Sequence, residues 1–288
     1  MYPNYHTMFQ GEIERLQSIG WENWKLNEKM MFIPPEMKVK NISFPAEAFE
    51  PNALNDETSG IWAETRASKI LSVMMAKNID FLWEVGAGNG YVAIPLERHN
   101  MGIIGIEPLE PGAQTLAAAG FASYLGTLEE LALPDSSIKA IGLFDVLEHL
   151  EQPEKILQEI KRVLQPNGVL IITVPAHNFL FSDFDISIGH FRRYSRKALT
   201  STLEDSGFFL DSLEFFFHSL VIPALILRRL PYLLGRRKNF ASIKNTNHRY
   251  LRFMQMVNKI LKQIFKIENN FDLPFGLSIL AVVHKSEV

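Results

Sequence analysis

The sequence predicts an α/β fold, a mostly parallel sheet with helices on both faces, and three observations carry the prediction. Apolar runs of strand length alternate with segments of helical spacing from about Asp80 onward. The first run, Phe81-Leu82-Trp83, passes directly into Glu84-Val-Gly-Ala-Gly-Asn-Gly90. A second run, Gly102-Ile-Ile-Gly-Ile106, closes on Glu107, seventeen positions beyond Gly90. A strand that turns sharply into a helix aims backbone N–H groups and the positive helix end at a ligand, and residues without a Cβ let that ligand come close. An acidic side chain at the tip of the next strand accepts ribose hydroxyls. Strand, glycines, helix and acidic tip in this order predict a nucleoside-cofactor site rather than a plain tight turn.

The elements follow in order. Residues 1–58 are aromatic and proline-punctuated, with Trp21, Trp24, Phe32, Phe44 and Phe49 among Pro34, Pro35, Pro45 and Pro51, and read as a cover segment. Ile61, Trp62, Ile70, Leu71, Met74 and Met75 partly fit a helix over 59–75 whose Met and aromatic residues belong to the core. Strands are predicted over 81–85, 102–106, 122–125, 138–144, 169–174 and 208–216, with a last one over 276–283. Helices are predicted over 91–98, 112–119 and 153–164, the last ended by Gln165-Pro-Asn-Gly168. A loop of about twenty residues after Val174 leads to a helix opened by Ser195 as N-cap and closed near Gly207. Loops this long inside a compact domain are usually functional. The resulting organisation is a cover over 1–58, a core over 59–217, a basic apolar helical insert over 218–275, and a last core strand and C-terminus over 276–288.

A chain of 288 residues that is 47% hydrophobic can bury a full core. It has no cysteine, so disulfides and thiolate metal sites are excluded. The start of the chain lacks the basic region and apolar core of a signal peptide, and no apolar run reaches eighteen residues. A cytoplasmic location is the expectation. The net charge of −3 hides a segregation: residues 215–267 hold eleven Lys and Arg and no acid, leaving 18 basic against 32 acidic residues elsewhere.

The glycine spacing is G-x-G-x-G with an acid at its head, not the G-x-G-x-x-G of dinucleotide folds, whose last two glycines serve the pyrophosphate and helix packing. Glu84 would repel a pyrophosphate and suits a ligand bearing an ammonium or sulfonium group. On these residues the chain resembles the class I S-adenosylmethionine-dependent methyltransferases of type 11/12-like pattern, over roughly Asp80 to Phe217. The resemblance implies a Rossmann-like, seven-stranded sheet whose last strand is antiparallel, and S-adenosylmethionine as cofactor. It implies cofactor contacts at Glu84, Gly86, Ala87, Gly88, Gly90, Glu107 and Pro108, and at Phe144 and Asp145 across the cleft. Thr127 and Leu128 occupy the adenine position after the third strand. Thr127 stands where the family commonly has an acid, so a backbone contact is expected there more firmly than a side-chain one.

Phe144-Asp-Val-Leu-Glu-His-Leu150 ends the fourth strand, where ligands of open α/β sheets bind. In the resemblance this segment faces the methyl group. His149 is then a candidate general base beside Glu148, with His190 and Tyr194 of the long loop as further catalytic candidates. The alternative is a helix cap, with acids at a helix start and a His bonded to backbone. Some relatives bind a divalent metal through such a run plus a later His, and His190 is placed to complete one; whether a metal binds is left open. Arg192 and Arg193 either hold an anionic group of the acceptor or pair, with Arg196, to the acidic body.

Residues 219–234 are rich in Leu, Ile and Val, carry Pro223 and Pro231, and run into Gly235-Arg-Arg-Lys238. They read as a membrane-interface segment, a roof over an apolar substrate or an oligomer contact; a nucleic-acid surface is disfavoured because phosphate binding needs no apolar stretch. The predicted function is methyl transfer to a small-molecule acceptor, an oxygen on a lipid-linked, saccharide or isoprenoid-like compound. Lipid or membrane-surface contact is expected through 219–238, with peripheral attachment at the inner face of a membrane. The rivals are a non-catalytic cofactor-binding scaffold and a nicotinamide oxidoreductase, the latter disfavoured by the glycine spacing.

Overall fold

The computed structural model describes residues 3–21, 31–32, 57–236 and 248–285. Trp24, Pro34, Pro35, Phe44, Pro45, Phe49 and Pro51 of the cover segment, and Arg237 and Lys238 of the insert, lie outside the described residues.

The strands are β1 (Met31–Phe32), β2 (Phe81–Val85), β3 (Gly102–Glu107), β4 (Ala122–Leu125), β5 (Ile138–Phe144), β6 (Leu164–Pro175), β7 (Phe208–Phe216) and β8 (Ser278–Lys285). They form one sheet in the order β1-β4-β3-β2-β5-β6-β8-β7. Pairing is parallel from β1 through β6, and β8 runs antiparallel to both β6 and β7. The seven-stranded Rossmann-like sheet with an antiparallel last strand is therefore present, with the two-residue β1 added at one edge. β3 and β4 are buried along their whole length, as strands covered on both faces must be.

The helices are α1 (Pro3–Ser18), α2 (Glu57–Ala76), α3 (Ala93–Glu97), α4 (Glu110–Ala118), α5 (Pro153–Val163), α6 (Asp183–Ser187), α7 (Arg196–Asp205), α8 (Val221–Ala224), α9 (Leu230–Leu233) and α10 (His248–Glu268). Two apolar clusters flank the sheet. One holds Phe9, Ile13, Leu16 and Trp21 of the N-terminal segment with Trp83, Ile106, Leu157 and Ile160. The other holds Ile70 and Met74 of α2, Leu96, Leu116, Phe217 and Phe265. Trp21 meets Trp83 edge-on at 6.5 Å and donates to the Leu131 carbonyl at 3.1 Å. The N-terminal helix is thus built into the core.

Several boundaries differ from the sequence expectation for local reasons. α3 begins later than predicted because residues 90–92 are spent completing the turn. β6 extends back over Gln165-Pro-Asn-Gly168, which forms a register shift opposite β5 instead of a break, with Asn167 at φ 60°. β8 starts at Ser278 because Gly276 lies against the β7 backbone, where a Cβ would sit 2.4 Å from the Phe216 carbonyl oxygen. The long loop after β6 folds into a short turn (Asn178–Leu180) and α6. Ser182 and Asp185 close a reciprocal capping box at the start of α6. Ser195 caps α7 as expected, its hydroxyl accepting from Ala198 N at 3.1 Å. Pro223 and Pro231 do not break the insert. Both fall in the first turn of short helical pieces, α8 and α9, and a π-helical turn (Leu225–Arg229) joins these.

Candidate active site

A cavity of about 1050 Å³ opens at the carboxyl ends of β2, β3, β5 and β6, where strand order reverses around β2. It lies at the upper end of the roughly 300–1,000 Å³ usual for small-molecule sites, enough for more than one ligand. Of the predicted residues, Glu84, Gly86, Ala87, Gly88, Glu107, Pro108, Thr127, Phe144, Asp145, Glu148, His149 and His190 line it.

The turn after β2 is held by its own sequence. Gly86 sits at φ 73°, and a Cβ there would meet Val146 Cγ2 at 2.5 Å. The turn packs against the segment that ends β5, and only glycine fits between them. Glu107 ties the turn to the tip of β3: one carboxylate oxygen accepts from Gly88 N at 2.8 Å, the other from Leu109 N at 2.8 Å. Burial pushes its pKa up to about 7 against the pull of those two amides. Glu84 is 2% exposed, and its Oε2 has no hydrogen-bond partner among the described residues. Burial pushes it up to about 8; Arg66 pulls it back and Glu107 adds to the rise. A buried acceptor of this kind is costly unless a ligand supplies the donor or the positive charge.

At the far side of β5, Asp145 adopts φ 54° and pairs with Arg66 of α2, and its Oδ1 accepts from the Thr173 hydroxyl at 2.9 Å. The next turn, Leu147–His149, aims Glu148 and His149 at the cavity. Glu148 is fully buried, with neither oxygen hydrogen-bonded among the described residues. Burial, and then the Asp145 charge, hold it well above the usual carboxylate range. His149 and His190 meet edge-on, ring centroids 4.6 Å apart. Burial, and then His190, push His149 down to about 4, while Asp145 and a backbone hydrogen bond with Gly189 oppose the drop. His190 Nδ1 lies 3.0 Å from Asp185 Oδ1, and its Nε2 3.7 Å from Glu148 Oε1. Candidate ligand atoms of Glu148, His149 and His190 all lie within 4.8 Å of one another.

Three predicted residues do not line the cavity. Tyr194 lies in the core at 3% exposure, its hydroxyl donating to the Leu147 carbonyl at 3.4 Å. It is drawn there by a parallel bridge to Ala176, in which Tyr194 N donates to Pro175 O and His177 N to Tyr194 O. Leu128 is fully buried in the core below the Thr127 turn. Gly90 sits behind the turn, where a Cβ would meet Leu116 at 2.9 Å; it serves helix packing. The Thr127 amide is committed to Glu130 Oε2 at 2.9 Å. Arg192 donates to the Leu150 and Glu151 carbonyls, and Arg193 Nε to Asp185 Oδ1 at 2.7 Å. Arg193 thus pairs with an acid, the second of the two readings, though it still lines the cavity. Trp62, Arg66, Phe184 and Arg228 also line the cavity, unforeseen from the sequence. Trp62 of α2, expected in the core, packs on Phe217 at 4.5 Å from the cavity side.

Residues 83–172 match the family model of the methyltransferase domain. A probable S-adenosylmethionine-dependent methyltransferase of Mycolicibacterium smegmatis is 31% identical over 150 residues, 50% of this chain and 58% of that protein. One of Mycobacterium tuberculosis is 30% identical over 138 residues, 43% of this chain and 47% of that protein. Over these residues the chain is similar to S-adenosylmethionine-dependent methyltransferases. Its matches span about half the length of these curated relatives. Among solved structures, a methyltransferase of Thermotoga maritima, described as a possible histamine N-methyltransferase, aligns with a TM-score of 0.51 at 17% identity, covering 82% of this chain and 93% of that one. One from Archaeoglobus fulgidus gives 0.50 at 16%, covering 77% and 92%. At such identities the likeness shows the fold alone. The residues present fit S-adenosylmethionine: the glycine turn clears space for it, each Glu107 oxygen accepts only one backbone N–H and could also accept from ribose hydroxyls, and Glu84 Oε2, without a partner among the described residues, suits its ammonium group.

Proposed function

We propose that this chain transfers a methyl group from S-adenosylmethionine to an oxygen of a lipid-linked, saccharide or isoprenoid-like small molecule. The observation that carries the reading is Glu84, a buried carboxylate lining the cavity beside the glycine turn, whose Oε2 has no hydrogen-bond partner among the described residues. The cofactor supplies an electrophilic methyl carried on a sulfonium. Glu84, Gly86, Ala87, Gly88, Glu107, Pro108, Thr127, Phe144 and Asp145 would hold it, with Arg66 fixing Asp145. His149 would take the proton of the acceptor hydroxyl, and most of the remaining rate would come from alignment. Glu148, whose burial favours the neutral carboxyl, and His190, anchored by Asp185, would position the imidazole and the acceptor.

Calorimetry tests this reading. S-adenosylhomocysteine should bind with micromolar affinity and NADH should not. Glu84 is mostly protonated at pH 7 when its pKa is about 8, and Glu107 about half so. Docking a cation on one and hydroxyl donors on the other favours both carboxylates, so binding should release roughly one to one and a half protons. Titrations in buffers of different ionisation enthalpy measure this, and Glu84→Gln should remove the larger share. Absence of S-adenosylhomocysteine binding would sink the proposal.

The lipid-linked acceptor is supported by the insert. Ile222, Leu225, Ile226, Leu230, Leu233 and Leu234 are exposed beside the exposed Arg236, within a stretch that contains no acid. No described helix is long and apolar enough to cross a membrane. Such a segment fits an anionic bilayer surface, with its apolar face in the interface and its cations on headgroups. The protein should co-sediment with vesicles containing phosphatidylglycerol and lose that binding in the Ile226→Glu, Leu233→Glu double variant. High salt should weaken it. Equal recovery of the double variant would remove the membrane contact.

A further inference from the structure

We propose that Arg228 is the recognition residue for an anionic, phosphate-class group on the methyl acceptor, whose apolar remainder runs out over the exposed isoleucine and leucine side chains of the insert. This rests on the methyltransferase reading and deepens it.

Four observations converge. Arg228 comes from the basic insert yet lines the same cavity as the glycine turn. It lies in the π-helical turn between α8 and α9. Such turns cost helix regularity and are common at functional sites. Its guanidinium sits 4.0 Å over the Phe184 ring of the loop after β6, and among the described residues no carboxylate or carbonyl meets it. Its neighbour Arg229, by contrast, donates to the Phe181 carbonyl at 2.7 Å, which pins the insert to that loop. Stacking of this kind fixes the plane of the guanidinium and leaves its edge N–H groups for a bidentate oxyanion.

The charge around it points the same way. Asp185 is the acid that offsets Arg228, and it is already held by Arg193 Nε at 2.7 Å and His190 Nδ1 at 3.0 Å, besides accepting from Ser182 N at 2.9 Å. Two guanidinium groups therefore share one carboxylate at this end of the cavity. Burial, then Arg193, lower the Arg228 pKa, as expected of a cation whose counter-ion is incomplete. The end around Glu84 and Glu107 is acidic and matches the cationic part of the cofactor. A ligand pair of opposite charge matches this gradient: cofactor at Glu84, anionic acceptor at Arg228. The insert's exposed Leu225 and Ile226 lie within one helical turn of Arg228, and Ile222 one turn further back, where an attached hydrocarbon would leave the cavity.

The test uses the full chain, wild type and Arg228→Met, with Arg236→Met as a control cation exposed on the same insert. S-adenosylhomocysteine is titrated first, and all three proteins should bind it alike; loss of this binding in wild type would fail the methyltransferase reading and not the Arg228 assignment. The cofactor-loaded proteins are then titrated with inorganic phosphate, octyl phosphate and the neutral octyl glucoside. Octyl phosphate should bind wild type and Arg236→Met at least tenfold more tightly than Arg228→Met, and octyl glucoside should not discriminate. Octyl phosphate binding more tightly than inorganic phosphate identifies a lipid-type headgroup, and equal binding a free phosphate ester. If Arg228→Met folds poorly, Arg228→Lys serves, and it should keep partial affinity because it retains the charge without the fork. Equal octyl phosphate affinity in wild type and Arg228→Met, an equal loss in Arg236→Met, or no binding to wild type overturns the assignment.

Discussion

Replacing Glu107 by alanine should weaken S-adenosylhomocysteine binding at least tenfold and leave the protein folded. The two carboxylate oxygens accept from Gly88 N and Leu109 N at 2.8 Å each, and both keep lone pairs toward the cavity. Hydrogen bonds to a charged group are worth about 1.5–3 kcal/mol, and 1.4 kcal/mol is about a tenfold change in affinity. Losing two ribose contacts and the brace on the turn therefore exceeds one decade. Glu107→Gln should fall between, because one amide oxygen can still accept while its NH2 group faces a backbone N–H.

The same substitution has a signature in stability. Glu84 and Glu107 have folded pKa values of about 8 and about 7, raised from 4.5. A raised carboxyl pKa means that the folded state holds protons the unfolded state has released. Stability is then greatest below about pH 4.5 as far as these groups are concerned, and falls as pH rises toward 7 to 8. Melting curves of the ligand-free protein should show that decline, and Glu107→Ala should flatten part of it. An unchanged affinity in a folded Glu107→Ala variant would reject the ribose role.

What was legible in the sequence was what is local. Phe81 to Glu107 contains a strand, its turn, a helix and the next strand in one stretch of chain, so glycine spacing and the acidic tip could be read without tertiary knowledge. The run Asp145 to His149 was legible for the same reason, because its place at a strand end follows from the alternation. Arg66 and Arg228 were not, since each reaches the cavity through packing of a distant helix, α2 on β5 and the insert on the loop after β6. No pattern around either residue marks it. Tyr194 shows the opposite error: its neighbours in the loop are polar and aromatic, but the bridge to Ala176 returns the backbone to the sheet and turns the ring into the core. The composition of a loop says that it is functional without saying which of its residues face the ligand.

His149→Ala should lower the methyl-transfer rate by about 10²- to 10⁴-fold, the usual contribution of a general base, with S-adenosylhomocysteine affinity changed only severalfold. The measurement is transfer of labelled methyl from S-adenosylmethionine into lipid and saccharide extracts. The pH profile separates a base from a helix cap. With its pKa pushed down to about 4, His149 is neutral, and able to accept a proton, well below the pH at which an ordinary histidine would be half protonated. With S-adenosylmethionine kept saturating, because its binding weakens as Glu84 and Glu107 take up protons, the rate should hold from neutral pH to about pH 5 and fall through about pH 4. Glu148→Gln supplies the contrast. Burial holds the Glu148 carboxyl well above the usual carboxylate range and so favours its neutral form, whose shape and charge glutamine copies; Glu148→Gln should keep most of the activity, while Glu148→Ala leaves a hole beside His149 and His190 and should not. A helix cap would tolerate His149→Asn, which keeps a side-chain hydrogen bond to the backbone, and full activity in that variant would transfer the base to another group. If no substitution at His149 or Glu148 altered methyl transfer, the cleft would bind its cofactor without using these side chains, as a scaffold does.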